Sequence, residues 1–143
     1  MNKKFLLAIP ISVLAVACAP IPPLEDGECS VVNVPGVCTG SASNPKLGIT
    51  LIRNGIRVGP PNLCADADTT INVSIHPGQS ETGTVEIIPK NPAHDWLNAS
   101  NDTDPNSFTI KVPADVDKDA DYDYTIIRSN GVCLDPRIRV PPA

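Results

Sequence analysis

Short runs in which apolar and polar residues alternate recur along the chain, the period of a strand with one buried face. Ile71, Val73 and Ile75 alternate with Asn72 and Ser74 over residues 69–75, and His76-Pro77-Gly78 ends the run. Phe108, Ile110 and Val112 alternate with Thr109 and Lys111 until Pro113 stops them. Over residues 122–128, Tyr122, Tyr124 and Ile126 share one face. Further strands are predicted at 48–53, 56–58, 84–88 and 137–140, and Trp96-Leu97 reads as a short strand or a helical turn. Asn54-Gly55 and Asn130-Gly131 each lie between two such runs, and an Asn-Gly pair suits a tight hairpin turn. Seven or eight short strands with turn signals between them predict an all-β sandwich, immunoglobulin-like or cupredoxin-like in outline.

Composition sharpens that picture. Proline supplies 16 of 143 residues, about 11%, against a usual ~5%. Such density favours short strands joined by stiff turns over long helices. Aromatic residues are few, so the core must rest on Ile, Val and Leu, with Trp96, the single tryptophan, read as a core plug ahead of an exposed binding anchor. Tyr124 is a candidate for a hydrogen bond across a loop, as in a tyrosine corner.

The first residues follow a different pattern. Lys3 and Lys4 precede an apolar run over 5–17, interrupted by Pro10. The run is shorter than the ~20 residues that span a bilayer, and its basic start and small final residues mark a removable secretory segment. Leu14-Ala15-Val16-Ala17-Cys18 resembles the lipobox of bacterial lipoprotein signal peptides. That resemblance implies a diacylglycerol on Cys18 through a thioether, an acylated amine, and membrane attachment by several chains, where one would hold only weakly. Ala19 in place of Asp implies sorting to the outer membrane; periplasmic release or secretion is the alternative. Residues 1–17 are then a signal helix, 18–44 a proline-rich tether with a cysteine loop, and 45–143 the sandwich. Loss of Lys3 and Lys4 takes the formal charge from −5 to about −7. An acidic chain without a basic cluster has the wrong field for nucleic acid.

With Cys18 assigned to lipid, Cys29, Cys38, Cys64 and Cys133 remain. An even number in an oxidising compartment predicts two disulfides. Three pairings are possible; Cys29–Cys38 with Cys64–Cys133 would close a small loop beside the tether and join the start of the domain to its end. Near the C-terminus, Tyr122-Asp123-Tyr124-Thr125 and Asp135-Pro136-Arg137-Ile138 resemble the close of small bacterial secreted domains of uncharacterised function. That resemblance implies a sandwich fold and no activity.

Asp115, Asp117, Asp119, Asp121 and Asp123 stand at every second position, and closely spaced carboxylates are what a calcium ion requires. An EF-hand loop needs Gly at its sixth position and Glu at its twelfth. Counted from Asp117 these are Tyr122 and Arg128, and from Asp115 they are Ala120 and Ile126. The plain reading is a solvated turn, with Asp102 and Asp104 in a neighbouring polar loop. A blue-copper site is short of ligands, since His76 and His94 lack a free Cys and an axial Met. His94-Asp95 suggests an oriented imidazole, but no nucleophile stands in a G-x-S-x-G context. Three Asn-x-Ser/Thr triplets begin at Asn72, Asn98 and Asn101, and a bacterial leader argues against their glycosylation. The expectation is a non-catalytic, membrane-anchored envelope module without a cofactor, binding or bracing an envelope protein through loops such as 89–104. A calcium-dependent adhesion module and a secreted hydrolase inhibitor are the rival readings.

Overall fold

The clearest alternation in the sequence becomes the strand Thr70–Pro77, with Ile71, Val73 and Ile75 buried and Thr70, Asn72, Ser74 and His76 exposed. It belongs to a computed structural model that describes residues 29–34, 36–77 and 83–143. The leader, Cys18 and the tether as far as residue 28 lie outside the described residues. In chain order the strands are β1 (Ser30–Val31), β2 (Lys46–Ile52), β3 (Gly55–Gly59), β4 (Asn62–Cys64), β5 (Thr70–Pro77) and β6 (Val85–Pro89). A single 3-10 turn, Asp95–Leu97, precedes β7 (Ala99–Ser100), β8 (Ser107–Lys111), β9 (Ala120–Arg128), β10 (Cys133–Asp135) and β11 (Arg137–Val140).

These strands form two sheets. One runs β3-β2-β5-β8, with β2 antiparallel to β3 and parallel to β5. The other is centred on β9, which pairs antiparallel with β6, β10 and β11. The β9–β10 and β9–β11 pairings share one continuous register, from Cys133↔Ile127 to Val140↔Ala120. Pro136 alone separates β10 from β11. It has no N–H to give, but its carbonyl still accepts from the Tyr124 N–H at 3.3 Å. Beyond them lie β1 and β4, parallel to β10 and β11 respectively.

The inner faces of both sheets meet in one core. Leu47, Ile49, Leu51, Ile71, Val73, Ile75 and Ile110 come from one sheet; Leu63, Val85, Ile87, Tyr122, Tyr124, Ile126, Ile138 and Val140 come from the other. Burying a large aliphatic or aromatic side chain contributes about 1.5–3 kcal/mol. The sandwich expected from the alternating runs is thus present, all-β and stapled by two disulfides.

Arg128 occupies the last inward position of β9 and is 4% exposed. Its Nη1 donates to the carbonyls of Ile52 at 2.8 Å and Gly55 at 3.3 Å, so it ties the end of one sheet to the β2–β3 turn of the other.

Both expected hairpins exist, but neither is a two-residue Asn-Gly turn. At Asn130-Gly131, Gly131 has φ +87°, and its N–H donates to the Arg128 carbonyl at 2.8 Å. The Arg128 N–H in turn reaches the Val132 carbonyl at 2.9 Å. That is a three-residue loop ending on a glycine in the left-handed region, where a Cβ is costly. At the other hairpin the register Ile52↔Gly55 makes Arg53-Asn54 the turn, one residue before the expected Asn54-Gly55. Packing explains the shift: Leu51 faces Ile56 and both are buried. A turn one residue later would make Arg53 a strand residue opposite Ile56, with the inward parity of Leu51, and bring a charged side chain to the buried face.

The disulfide pairing differs from the expected one. The bonds are Cys29–Cys133, 104 residues apart, and Cys38–Cys64, 26 apart. Parallel pairing dictates the first, because the β1–β10 register of Ser30↔Leu134 continues to Cys29 beside Cys133. For the second, Thr39 bridges Leu63, with Thr39 N–H to Asn62 carbonyl at 2.8 Å and Cys64 N–H to Thr39 carbonyl at 3.0 Å. The segment before β2 is therefore a cysteine-pinned border along β10 and β4, not a free loop on a tether.

The Tyr124 side chain is fully buried and its hydroxyl has no hydrogen-bond partner, so it is not a tyrosine corner. Burial drives its phenol pKa far above the usual value. The ring is retained for its apolar area.

Three outcomes are expected. Non-reducing peptide mapping should recover Cys29 linked to Cys133 and Cys38 linked to Cys64. The Cys29→Ser/Cys133→Ser pair should lose about 4–5 kcal/mol in denaturant melts, against about 3.5 for Cys38→Ser/Cys64→Ser, following loop length. Tyr124→Phe, which removes a buried unsatisfied hydroxyl while keeping the ring, should raise stability by about 1 kcal/mol in the same melts.

Candidate binding cleft

The five-aspartate series divides where the loop becomes strand β9. Asp121 and Asp123 are on the strand, on the face opposite Tyr122 and Tyr124. Arg137 and Arg139 of β11 lie directly across, with register Arg137↔Asp123 and Arg139↔Asp121. Arg137 grips Asp123 with two bonds, Nε to Oδ1 at 2.6 Å and Nη2 to Oδ2 at 3.0 Å, and reaches Asp121 at 3.2 Å. Arg139 donates to Asp121 at 2.8 Å and to Asp119. The result is a ladder, Asp119–Arg139–Asp121–Arg137–Asp123, laid across two strands. The hydrogen bonds and negative charges of these aspartates raise both guanidinium pKa values. Lys90 and Thr125 extend the pattern, bonding the buried Asp135 at 2.5 and 2.8 Å. Bidentate, partly shielded pairs of this kind are worth more than isolated surface pairs.

Three of the five carboxylates are thus committed to arginines, and the series does not converge on a point. Among the described residues, no group of three or more His, Cys, Asp or Glu side chains is placed to hold a metal ion. Asp104 accepts from the Asn106 N–H at 2.9 Å and the Ser107 hydroxyl at 3.0 Å, which holds its pKa below the usual carboxylate range. Asp102 accepts from the Ser100 hydroxyl. Asn101 is buried and wholly used: its Oδ1 takes the Val85 N–H, and its Nδ2 reaches the Gly83 and Pro105 carbonyls.

Asp115 and Asp117 stay on the loop before β9 and have a different setting. With residues 93–96 they line a cleft of about 320 Å³. The approach to it from β6 is shaped by Asn91, whose side chain accepts the Ala93 N–H and whose carbonyl accepts the His94 N–H. The 3-10 turn then places Leu97 in the core and leaves Trp96 half-buried on the cleft wall. Trp96 still packs against the core, and the turn gives the fully buried position to its neighbour Leu97. Tyr122, 4% exposed, contributes from the inner face of β9. Its ring meets His94 edge-on at 4.8 Å and Trp96 at 5.4 Å, and its hydroxyl donates to the Asp117 carbonyl at 3.1 Å. Desolvation, with the Asp117 charge, raises the Tyr122 pKa.

His94 Nδ1 is buried without a partner, so Asp95 does not orient the imidazole as a catalytic dyad would. His76 is exposed on β5. Cys29, Cys38, Cys64 and Cys133 are all oxidised and offer no thiolate to copper. A second cleft, about 630 Å³, lies by the two hairpin turns and is lined by Asn54, Ile56, Val132 and Leu134 among others, with no titratable group. Sequence reasoning named His94, Trp96, Asp115 and Asp117 separately. What it missed was that a 3-10 turn and the loop before β9 bring them to one place. No protein-family model matches the chain, and no curated protein matches it either.

The ladder generates a measurable expectation. With arginines occupying Asp119, Asp121 and Asp123, the melting temperature should be the same in millimolar calcium and in chelator. A rise of several degrees with calcium would mean that the carboxylates leave their arginines for the ion.

Proposed function

We propose that this chain is a non-catalytic binding module of the bacterial cell envelope, held at the outer membrane by lipid on Cys18. The observation that carries the reading is the cysteine pattern. Cys29, Cys38, Cys64 and Cys133 are fully paired, which suits an oxidising compartment outside the cytoplasm. It leaves Cys18, at the end of the lipobox-like Leu14-Ala15-Val16-Ala17, as the one cysteine available to lipid chemistry. Support for recognition comes from the cleft, whose side chains offer aromatic surface and carboxylates. Two disulfides and one continuous core give it the rigid scaffold on which loops present contacts. An envelope protein is the proposed partner.

Labelled palmitate fed to cells expressing the full chain should appear on the wild type and be lost from Cys18→Ser, which should leave the membrane fraction. Equal labelling of the two would overturn the anchor.

A further inference from the structure

The cleft beside Trp96 has a one-sided chemistry. Asp95, Asp115 and Asp117 line it together with His94, and no Lys or Arg does. Its apolar lining includes two aromatic rings, the partly buried Trp96 and the buried Tyr122, beside Ala93, Pro113 and Val116. We propose that this cleft binds an organic cation, an ammonium or guanidinium group, held between the Trp96 face and the carboxylates of Asp115 and Asp117.

Three considerations favour that class of ligand. An anion meets three carboxylates and is repelled. A metal ion needs oxygens converging at about 2.3–2.6 Å, and these carboxylates form no such group. A diffuse positive charge needs neither convergence nor short bonds. It is attracted by the negative face of an aromatic ring within about 6 Å, most strongly by tryptophan, while dispersed carboxylates add to the field. The fold also keeps its one tryptophan half-exposed here while Leu97 beside it fills the core. Trp and Arg are both common as anchors of protein contacts, so an arginine or lysine side chain on a partner is one source of the cation and a free amine is another. The proposal rests on the binding role argued above and is independent of the lipid on Cys18.

Trp96 makes the test direct, because all tryptophan emission comes from the cleft. The full chain would be titrated with N-acetylarginine amide and with tetramethylammonium, and in parallel with the neutral N-acetylcitrulline amide. A saturable emission change is expected with at least one cation and none with citrulline. A response to the arginine derivative alone points to a protein partner, and one to both cations to a free amine as well. Asp115→Asn/Asp117→Asn should weaken binding about tenfold. Both residues are exposed, and the Tyr122 hydroxyl uses the backbone of Asp117, so the variant should keep the wild-type circular dichroism. Trp96→Phe, followed by calorimetry, should weaken binding too. No saturable response to either cation would overturn the proposal, as would equal binding of citrulline or an undiminished response in the double variant. Palmitate labelling of Cys18 without a cation response would overturn only the ligand assignment; a cation response without labelling would overturn only the anchor.

Discussion

Strand β9 is hydrogen-bonded along both edges, to β6 on one side and to β10 and β11 on the other. With both edges fixed, its two-residue period sends each side chain to a defined layer. Tyr122, Tyr124, Ile126 and Arg128 enter the sandwich, while Asp121, Asp123, Thr125 and Ile127 line the outer face. The inward set supplies the floor of the core and the arginine that binds the opposite hairpin. The outward set supplies the acidic side of the ion ladder. One strand thus joins the apolar core to the charged outer face, and neither can change register without the other.

That geometry also separates two kinds of aspartate that look alike in the sequence. On the strand, Asp121 and Asp123 face Arg139 and Arg137 because β11 carries arginine with the same spacing. Asp119, at φ +54° just before the strand, still reaches Arg139. Asp115 and Asp117 lie ahead of the paired register, on the loop, and line the cleft instead. Reach to the arginines of β11 therefore decides which carboxylates are neutralised, from Asp119 onward, and which stay at the cleft.

The sandwich was legible wherever a strand is long enough for alternation to show. Around Ile71, Ile110 and Tyr122 the buried positions are the apolar ones in the pattern. Strands β1, β4 and β7 have only two or three residues, too few for a period. The places of β1 and β4 come from parallel pairing and from cysteines whose partners are distant in the chain, so the disulfide pairing was hidden with them, and β7 is set by antiparallel pairing with β6. The ladder had a signal that single-segment reading passes over: Arg137-x-Arg139 repeats the spacing of Asp121-x-Asp123 with opposite charge. The cleft had none, because its halves come from loops about twenty residues apart in the chain, and only the 3-10 turn decides that Leu97 is fully buried and Trp96 only partly.

The Cys29–Cys133 bond has a mechanical meaning as well as a thermodynamic one. Tension arriving from the residues before Cys29 meets a covalent link to β10, in the sheet built around the central strand, before it reaches the two-residue edge strand β1. Without that link the same pull would peel β1 away first and then draw on the border segment through Cys38. With it, the load passes around the weakest edge and is shared by β10 and its antiparallel neighbour β9. A pull from the N-terminal side is therefore met by the central strands and does not unzip the domain from its first edge.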